Sequence, residues 1–277
     1  MSDCFALRFE DKIAHLTLNR PEAFNAMNRT FWNDLPEIVR DIDDNAKARV
    51  VLISSTGKHF TSGMDTSVFA EGGSLAGEGD PAAKAEAFRQ FVLTLQGAFS
   101  CLDEARMPVI AAVQGGCIGA GVDMISACDI RYATEDAFFQ IHEINIGMTA
   151  DVGTFPRLCK LIPEGWVREL AYSGRRLPAA KAKEIGLVNE VFATQEAMLV
   201  HAGDLAREIA SKSPVAVAGS KRIINYARDH ASADALDYIA TWQAGMFSPG
   251  HIMEAFAAKG AKRTPEFPDL MPRRKKM

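Results

Sequence analysis

Three carboxylates, Asp123, Glu143 and Asp151, fall within residues 112–153 of this 277-residue chain, set among glycine pairs and apolar runs. Gly115-Gly116 and Gly119-Ala120-Gly121 follow the β-branched run Val109 to Val113 and precede Met124, Ile125 and Ala127. The local reading is strand, tight turn and helix N-terminus. Amides in the first turn of a helix have no intrahelical partner and sit at the positive end of its dipole, which suits an anionic oxygen. Carboxylates beside such a hole are placed for general acid–base work. Glu143 carries the most weight, because it stands in Phe138-Phe139-Gln140-Ile141-His142-Glu143-Ile144-Asn145-Ile146, where a carboxylate without a role is costly. The other acids have plainer readings. Asp123 suits a first helical turn, Asp151 the N-cap of a helix leading to Leu158, and Asp65 a helix cap. His142 reads as a packing or hydrogen-bonding residue. A dinucleotide reading of Gly119-x-Gly121 fails because Met124 stands where the third glycine belongs.

The elements that must position these groups follow from periodicity. Residues 5–9 and 13–18 alternate partially around Asp11-Lys12, as a β-hairpin does. Asn19-Arg20-Pro21 ends the second strand, and Phe31, Leu35, Ile38, Val39 and Ile42 predict a helix to about Asp44. This ββα pattern is followed by a buried strand at Val50-Val51-Leu52-Ile53-Ser54 and a turn at Phe60-Thr61-Ser62-Gly63-Met64-Asp65 that runs into a helical segment. Residues 72–80 are small, polar and loop-like, which suits a lid or plain slack. A helix is expected over 81–103. Beyond the centre, helices are expected over 155–159, 164–172 and 179–184, with a last strand over 187–192. From Glu196 onward the pattern is helical only, so residues 1–200 read as an α/β core and 201–277 as a helical C-terminal subdomain.

Composition narrows the function class. A hydrophobic content of 48% supports a large core, and a net charge of −4 argues against a nucleic-acid partner. The basic run at 273–276 reads as a solvated terminus. Five scattered cysteines without a Cys-x-x-Cys pair fit a reducing compartment, and no two histidines have helical ligand spacing, so no metal is expected. No stretch reaches membrane-spanning length and the N-terminal residues lack a leader pattern. A cytoplasmic, unprocessed protein is the expectation.

Three motifs resemble the crotonase, or enoyl-CoA hydratase/isomerase, superfamily. They are Asn19-Arg20-Pro21 with Asn25-Ala26-Met27, Phe60-Thr61-Ser62-Gly63-Met64-Asp65, and Gly115-Gly116-Cys117-Ile118-Gly119-Ala120-Gly121-Val122-Asp123 followed by Ala127-Cys128-Asp129-Ile130. Within it, Ser126-Ala127-Cys128-Asp129-Ile130-Arg131-Tyr132, Asp136-Ala137-Phe138-Phe139-Gln140 and Ala150-Asp151-Val152-Gly153-Thr154 are similar to the members that isomerise 3,5-dienoyl-CoA to 2,4-dienoyl-CoA. The resemblance implies a spiral of ββα units with a helical C-terminal region used in forming a homotrimer or homohexamer. It implies an acyl-CoA thioester substrate and no cofactor beyond the CoA of that substrate. An oxyanion hole would come from the N–H groups of Met64 and Ala120, within a binding segment of Ser62, Gly63, Met64, Asp65, Thr66 and Ala120. Ala120 departs from the usual glycine, which leaves a backbone donor but adds a carbon to the channel wall.

In that chemistry the C2 proton is acidified by the thioester and the diene, and reprotonation occurs at C6, four bonds away. One carboxylate reaches both with difficulty, so two are called for. The resemblance gives C2 to Glu143 and C6 to Asp151, with Asp123 tuning the pair, and Asp151 protonated at the start. Arg20 and Lys58 are candidates for the CoA phosphates. An enoyl-CoA hydratase would use acids at 123 and 143 and typically lacks one at 151. An idle member of the same fold, acting as a binding or scaffold module or on RNA, sits badly with three acids and a negative charge.

Overall fold

The computed structural model describes residues 3–71 and 79–273. The 72–78 part of the loop-like stretch, and residues 274–276 of the basic run, lie outside the described residues. Strands β1 (Phe5–Glu10) and β2 (Ile13–Leu18) form the expected hairpin, with Asp11 and Lys12 both at positive φ, the turn geometry whose twist suits paired strands. Helix α1 (Arg29–Asp44) starts at Asn28, whose side chain accepts the Phe31 N–H at 3.0 Å, and buries Phe31, Leu35, Val39 and Ile42 at helical spacing. Strand β3 (Val50–Ser55) then pairs in parallel with β2.

Helices α2 (Thr66–Glu71) and α3 (Pro81–Glu104) lead to β4 (Val109–Val113), which is buried at every residue, as a parallel central strand covered on both faces must be. After it come β5 (Gly116–Ile118), α4 (Ala120–Ser126), β6 (Ile130–Thr134) and β7 (Phe138–Gln140). The chain continues through α5 (Thr154–Leu161), α6 (Glu164–Ser173), β8 (Leu177–Pro178), α7 (Ala179–Glu184) and β9 (Glu190–Phe192). It ends in α8 (Gln195–Ala210), α9 (Pro214–Asp229), α10 (Ser232–Met246) and α11 (Pro249–Gly260). Among the described residues no helix is long and apolar enough to cross a membrane.

The larger sheet has the order β1-β2-β3-β4-β6-β9. On one face Leu16, Val51, Ile53, Val109 and Ala111 share a core with Leu35, Phe99 and Leu102 of α1 and α3. On the other, Ile13, Val50, Leu52 and Ile110 pack against Met198, Ala202, Ala206 and Ala210 of α8, whose small side chains let it lie close to the strands. Helix α9 is fastened to the end of α3 by buried Lys221, which donates to Leu102 O at 2.8 Å, Met107 O at 3.1 Å and Asp129 at 2.8 Å.

Two elements differ from the sequence reading. A second sheet, in the order β5-β7-β8, stands beside the first. Strands of two or three residues carry no readable alternation. The expected strand over 187–192 is shortened to Glu190–Phe192, because the N–H groups of Leu187 and Val188 both bond to Ala182 O and close α7 instead.

The segments that lead to the centre are tied by Asn25, which is 3% exposed. Its Oδ1 accepts Arg20 N–H at 2.8 Å, and its Nδ2 donates to Thr56 O at 2.8 Å and His59 O at 3.0 Å. Asn25→Ala removes three bonds and strands their buried partners, so it is expected to cost about 2–4 kcal/mol, read as a lower urea midpoint at unchanged slope.

Candidate active site

Residues 61–65 and 116–120 run side by side. Thr61 and Cys117 form a parallel bridge, with Thr61 N–H bonded to Gly116 O at 3.0 Å and Ile118 N–H to Thr61 O at 3.2 Å. At Gly63 the approach is closest, for a Cβ there would meet Ile118 O at 2.7 Å, and the φ of +88° also suits glycine. On its outer side this segment pairs with Met27, whose N–H bonds to Gly63 O and whose carbonyl accepts Asp65 N–H. Those bonds engage the neighbours of Met64 and leave its own N–H facing the opposite way. Among the described residues neither Met64 N–H nor Ala120 N–H has a protein acceptor. Ala120 is the first residue of α4, where an amide is free by construction. Helix α4 is only seven residues long, so its contribution is this amide more than a macrodipole.

The turn between them is braced from outside. Gly119 N–H bonds to Gln140 O at 2.9 Å, and Gln140 Nε2 in turn donates to Gly174 O at 2.6 Å. His59 Nδ1 accepts Gly116 N–H at 2.9 Å, which fixes the unprotonated nitrogen and holds the start of β5. Sequence reasoning passed over His59, since an acceptor for an amide 57 residues away has no local signal.

A cleft of ≈ 490 Å³ opens over this turn, with Ser62, Gly63, Met64, Ala120, Asp123, Glu143 and Asp151 in its walls, together with the apolar Ile118, Ile146, Met148 and Val152. The three acids singled out in the sequence are thus brought together. A larger hollow of ≈ 1280 Å³ beside α9 and α10 holds none of them. The Glu143 carboxylate lies over Gly119, where a Cβ would stand 3.3 Å from its Oε1. Asp123, 1% exposed, takes Thr154 N–H on Oδ1 at 2.6 Å. This overturns one reading of Asp151. The N-cap residue of α5 is Gly153, and the carboxylate that caps the helix is Asp123, from α4, while Asp151 lines the cleft.

Asp65 does act as a cap, its Oδ1 taking the N–H and hydroxyl of Ser67 at 3.0 and 2.8 Å. Arg20, expected near phosphates, places Nη1 2.9 Å from Ala26 O and 3.9 Å from Asp65, as a brace on the same segment. Lys58 lies next to His59 and does not line the cleft. Thr66 opens α2 next to Asp65 and is not in the cleft wall either.

Burial governs the protonation of the acids. It raises Asp123 to about 6, against the opposing Thr154 hydrogen bond, and Glu143 to about 7 with help from the charges of Asp123 and Asp151. Burial also raises Asp151. Because Asp123 and Glu143 hold their protons more tightly folded than unfolded, their contribution to stability is full at acid pH and is lost as pH rises through about 6 and 7. Glu143→Gln is therefore expected to melt above the unsubstituted protein at pH 8 and to lose that advantage at pH 5. A melting difference that is the same at both pH values would contradict this placement of Glu143.

Comparison with known proteins agrees with the geometry. The enoyl-CoA hydratase/isomerase family pattern matches residues 8–270. The chain is 46% identical over 253 residues to the mitochondrial Δ(3,5)-Δ(2,4)-dienoyl-CoA isomerase of Mus musculus, covering 91% of this chain and 77% of that one. It is 37% identical over 262 residues to the peroxisomal Δ(3,5)-Δ(2,4)-dienoyl-CoA isomerase of Arabidopsis thaliana, covering 94% of each. Among solved structures, an enoyl-CoA hydratase from Bacillus anthracis superposes with a TM-score of 0.83 at 27% identity, covering 98% of this chain and all of that one. The expectation of a cytoplasmic protein is corrected by these relatives, which are mitochondrial and peroxisomal. Free thiols, as all five cysteines are, report redox conditions and not an address. The ββα architecture, the paired segments at Gly63 and Gly119 and the match over nearly the whole chain lead to one conclusion: this chain belongs to the enoyl-CoA hydratase/isomerase family.

Proposed function

We propose that the chain is a Δ(3,5)-Δ(2,4)-dienoyl-CoA isomerase. The observation that carries the reading is a third acid, Asp151, on the wall of the cleft that also holds Glu143 and the free amides of Met64 and Ala120. The names of the mouse and Arabidopsis relatives support it. A hydratase needs only two acids around a water.

The thioester oxygen is held by the N–H groups of Met64, in the segment that runs from Ser62, and of Ala120, at the start of α4. Negative charge that develops on that oxygen meets donors already in place, which costs no reorganisation during the reaction. Glu143, over Gly119, removes the C2 proton, and a carboxyl raised to about 7 is matched to base work near neutral pH. The resulting anion is delocalised from oxygen to C6, where Asp151 delivers a proton. Burial favours the protonated form in which Asp151 must start. Asp123 keeps Thr154 and the 151–153 loop in place and raises Glu143 by its charge. Only protons move, so CoA enters as part of the substrate and the reading carries no separate cofactor.

The same reading extends to assembly as a homotrimer or homohexamer through residues 201–277. Ile224, Leu236, Met246, Phe247, Met253 and Phe256 of this helical stretch are exposed, more apolar surface than a lone subunit normally shows to water. Light scattering at micromolar concentration is expected to give a trimeric or hexameric mass, and a monomeric mass would overturn it.

The catalytic assignment is tested by separating the two proton transfers. Glu143→Gln is expected to abolish both isomerisation, followed by the ultraviolet band of the 2,4-diene, and exchange of the C2 proton with deuterated water. Asp151→Asn is expected to stop isomerisation and leave C2 exchange largely intact. Each loss should be about 10²–10⁴-fold, the usual contribution of a general acid or base. Equal loss of exchange in both variants would show that the two roles are not divided in this way.

A further inference from the structure

Asp151 stands on the wall of a second cleft as well. That cleft shares Asp151 and Val152 with the first and is otherwise lined mostly by polar side chains, among them Gln96, Ser100, Arg157 and Lys160, with Pro156 at its rim. Gln96 Nε2 donates to Asp151 O at 2.6 Å, and Arg157 Nη2 donates to Ser100 Oγ at 3.1 Å. The Arg157 guanidinium lies tight against Gly153, in the loop that follows Asp151.

Buried polar atoms without protein partners belong to the walls of both clefts, Asp123 and Glu143 in the first and Arg157 in the second. Five buried side-chain nitrogen or oxygen atoms lack a hydrogen-bond partner among the described residues, and four of them are Asp123 Oδ2, Glu143 Oε2, Thr154 Oγ1 and Arg157 Nη1. Proteins seldom leave such atoms unpaired, and an internal water is the usual partner where the surroundings are polar.

The chemistry supplies a use for water here. Each turnover leaves Glu143 neutral and Asp151 ionised, and at that moment product fills the acyl cleft. We propose that the second cleft is a proton inlet for Asp151. A water in it, held by Arg157, passes a proton to the Asp151 carboxylate and is restored by a proton from bulk water. Glu143 gives its proton to solvent at the thioester end, so one proton enters, one leaves and the enzyme is reset. The inlet rests on the division of labour proposed above for Glu143 and Asp151.

Two variants outside the acyl cleft test it. Pro156→Trp narrows the exposed rim, and Arg157→Met removes the buried donor. When 3,5-dienoyl-CoA is mixed in excess with either variant, the first turnover is expected at the rate of the unsubstituted protein. Later turnovers should be about 10²-fold slower, the low end of what a positioned proton donor contributes. The signature is a burst of one product per site. Linear progress without a burst in both variants would overturn the inlet. So would deuterium carried from C2 of the substrate to C6 of the product over many turnovers, because Glu143 would then be handing its proton to Asp151 internally. An unsubstituted protein that fails to isomerise this substrate at all would count against the function itself, whereas normal isomerisation without these signatures counts against the inlet alone.

Discussion

The site depends on one close passage of backbone past backbone. Residues 61–65 and 116–120 are joined at Thr61 and Cys117 and come so near at Gly63 that a single methyl group would strike Ile118 O. The proposed recognition of a thioester rests on that contact. The pairing of Met27 with Gly63 and Asp65 leaves the amide of Met64 free, and the start of α4 leaves the amide of Ala120 free beside it. Backbone donors suit this task because their position is set by the fold and not by a rotamer. The supports of the passage are themselves distant in sequence. Asn25 ties it to residues 56–59, His59 holds Gly116, and Gln140 holds Gly119.

The second constraint is electrostatic. Three carboxyl groups in one apolar cleft cannot all be ionised cheaply, and burial answers this by raising each of them. The protein gives up stability above neutral pH for groups that, on the proposed function, exchange protons with the acyl chain. Asp123 is the member with a structural duty, since its hydrogen bond to Thr154 joins α4 to α5 and so fixes the distance between the free amide of Ala120 and the loop of Asp151. That arrangement lets one cleft present the amides of Met64 and Ala120 together with the acid at 151.

Much of this was legible in the chain. The hairpin, α1, α3 and β4 follow from periodicity, and Glu143 announces itself as a carboxylate in an apolar run. The glycine turn at 115–121 marks where backbone must pass close to something. What could not be read is what that something is. The partner of Asp123 lies 31 residues away, that of His59 lies 57 away, and the strands of the second sheet are too short to carry a period. Local pattern fixes elements; contacts between distant elements have no local signature. Thus the local pattern at Asp151 reads as a helix cap and only the resemblance marks it as a site acid, whereas in the fold Asp123 takes the cap and Asp151 lines the cleft.

On the proposed function, the third acid makes this cleft an isomerase site in place of a hydratase site. The most direct measurement offers the purified protein 3,5-dienoyl-CoA and a 2-enoyl-CoA of equal length in parallel, following 2,4-dienoyl formation in one and loss of the enoyl band in the other. The kcat/KM for isomerisation is expected to be at least about 10²-fold above that for hydration, the scale of one acid–base group. Hydration as fast as isomerisation, or faster, would contradict it.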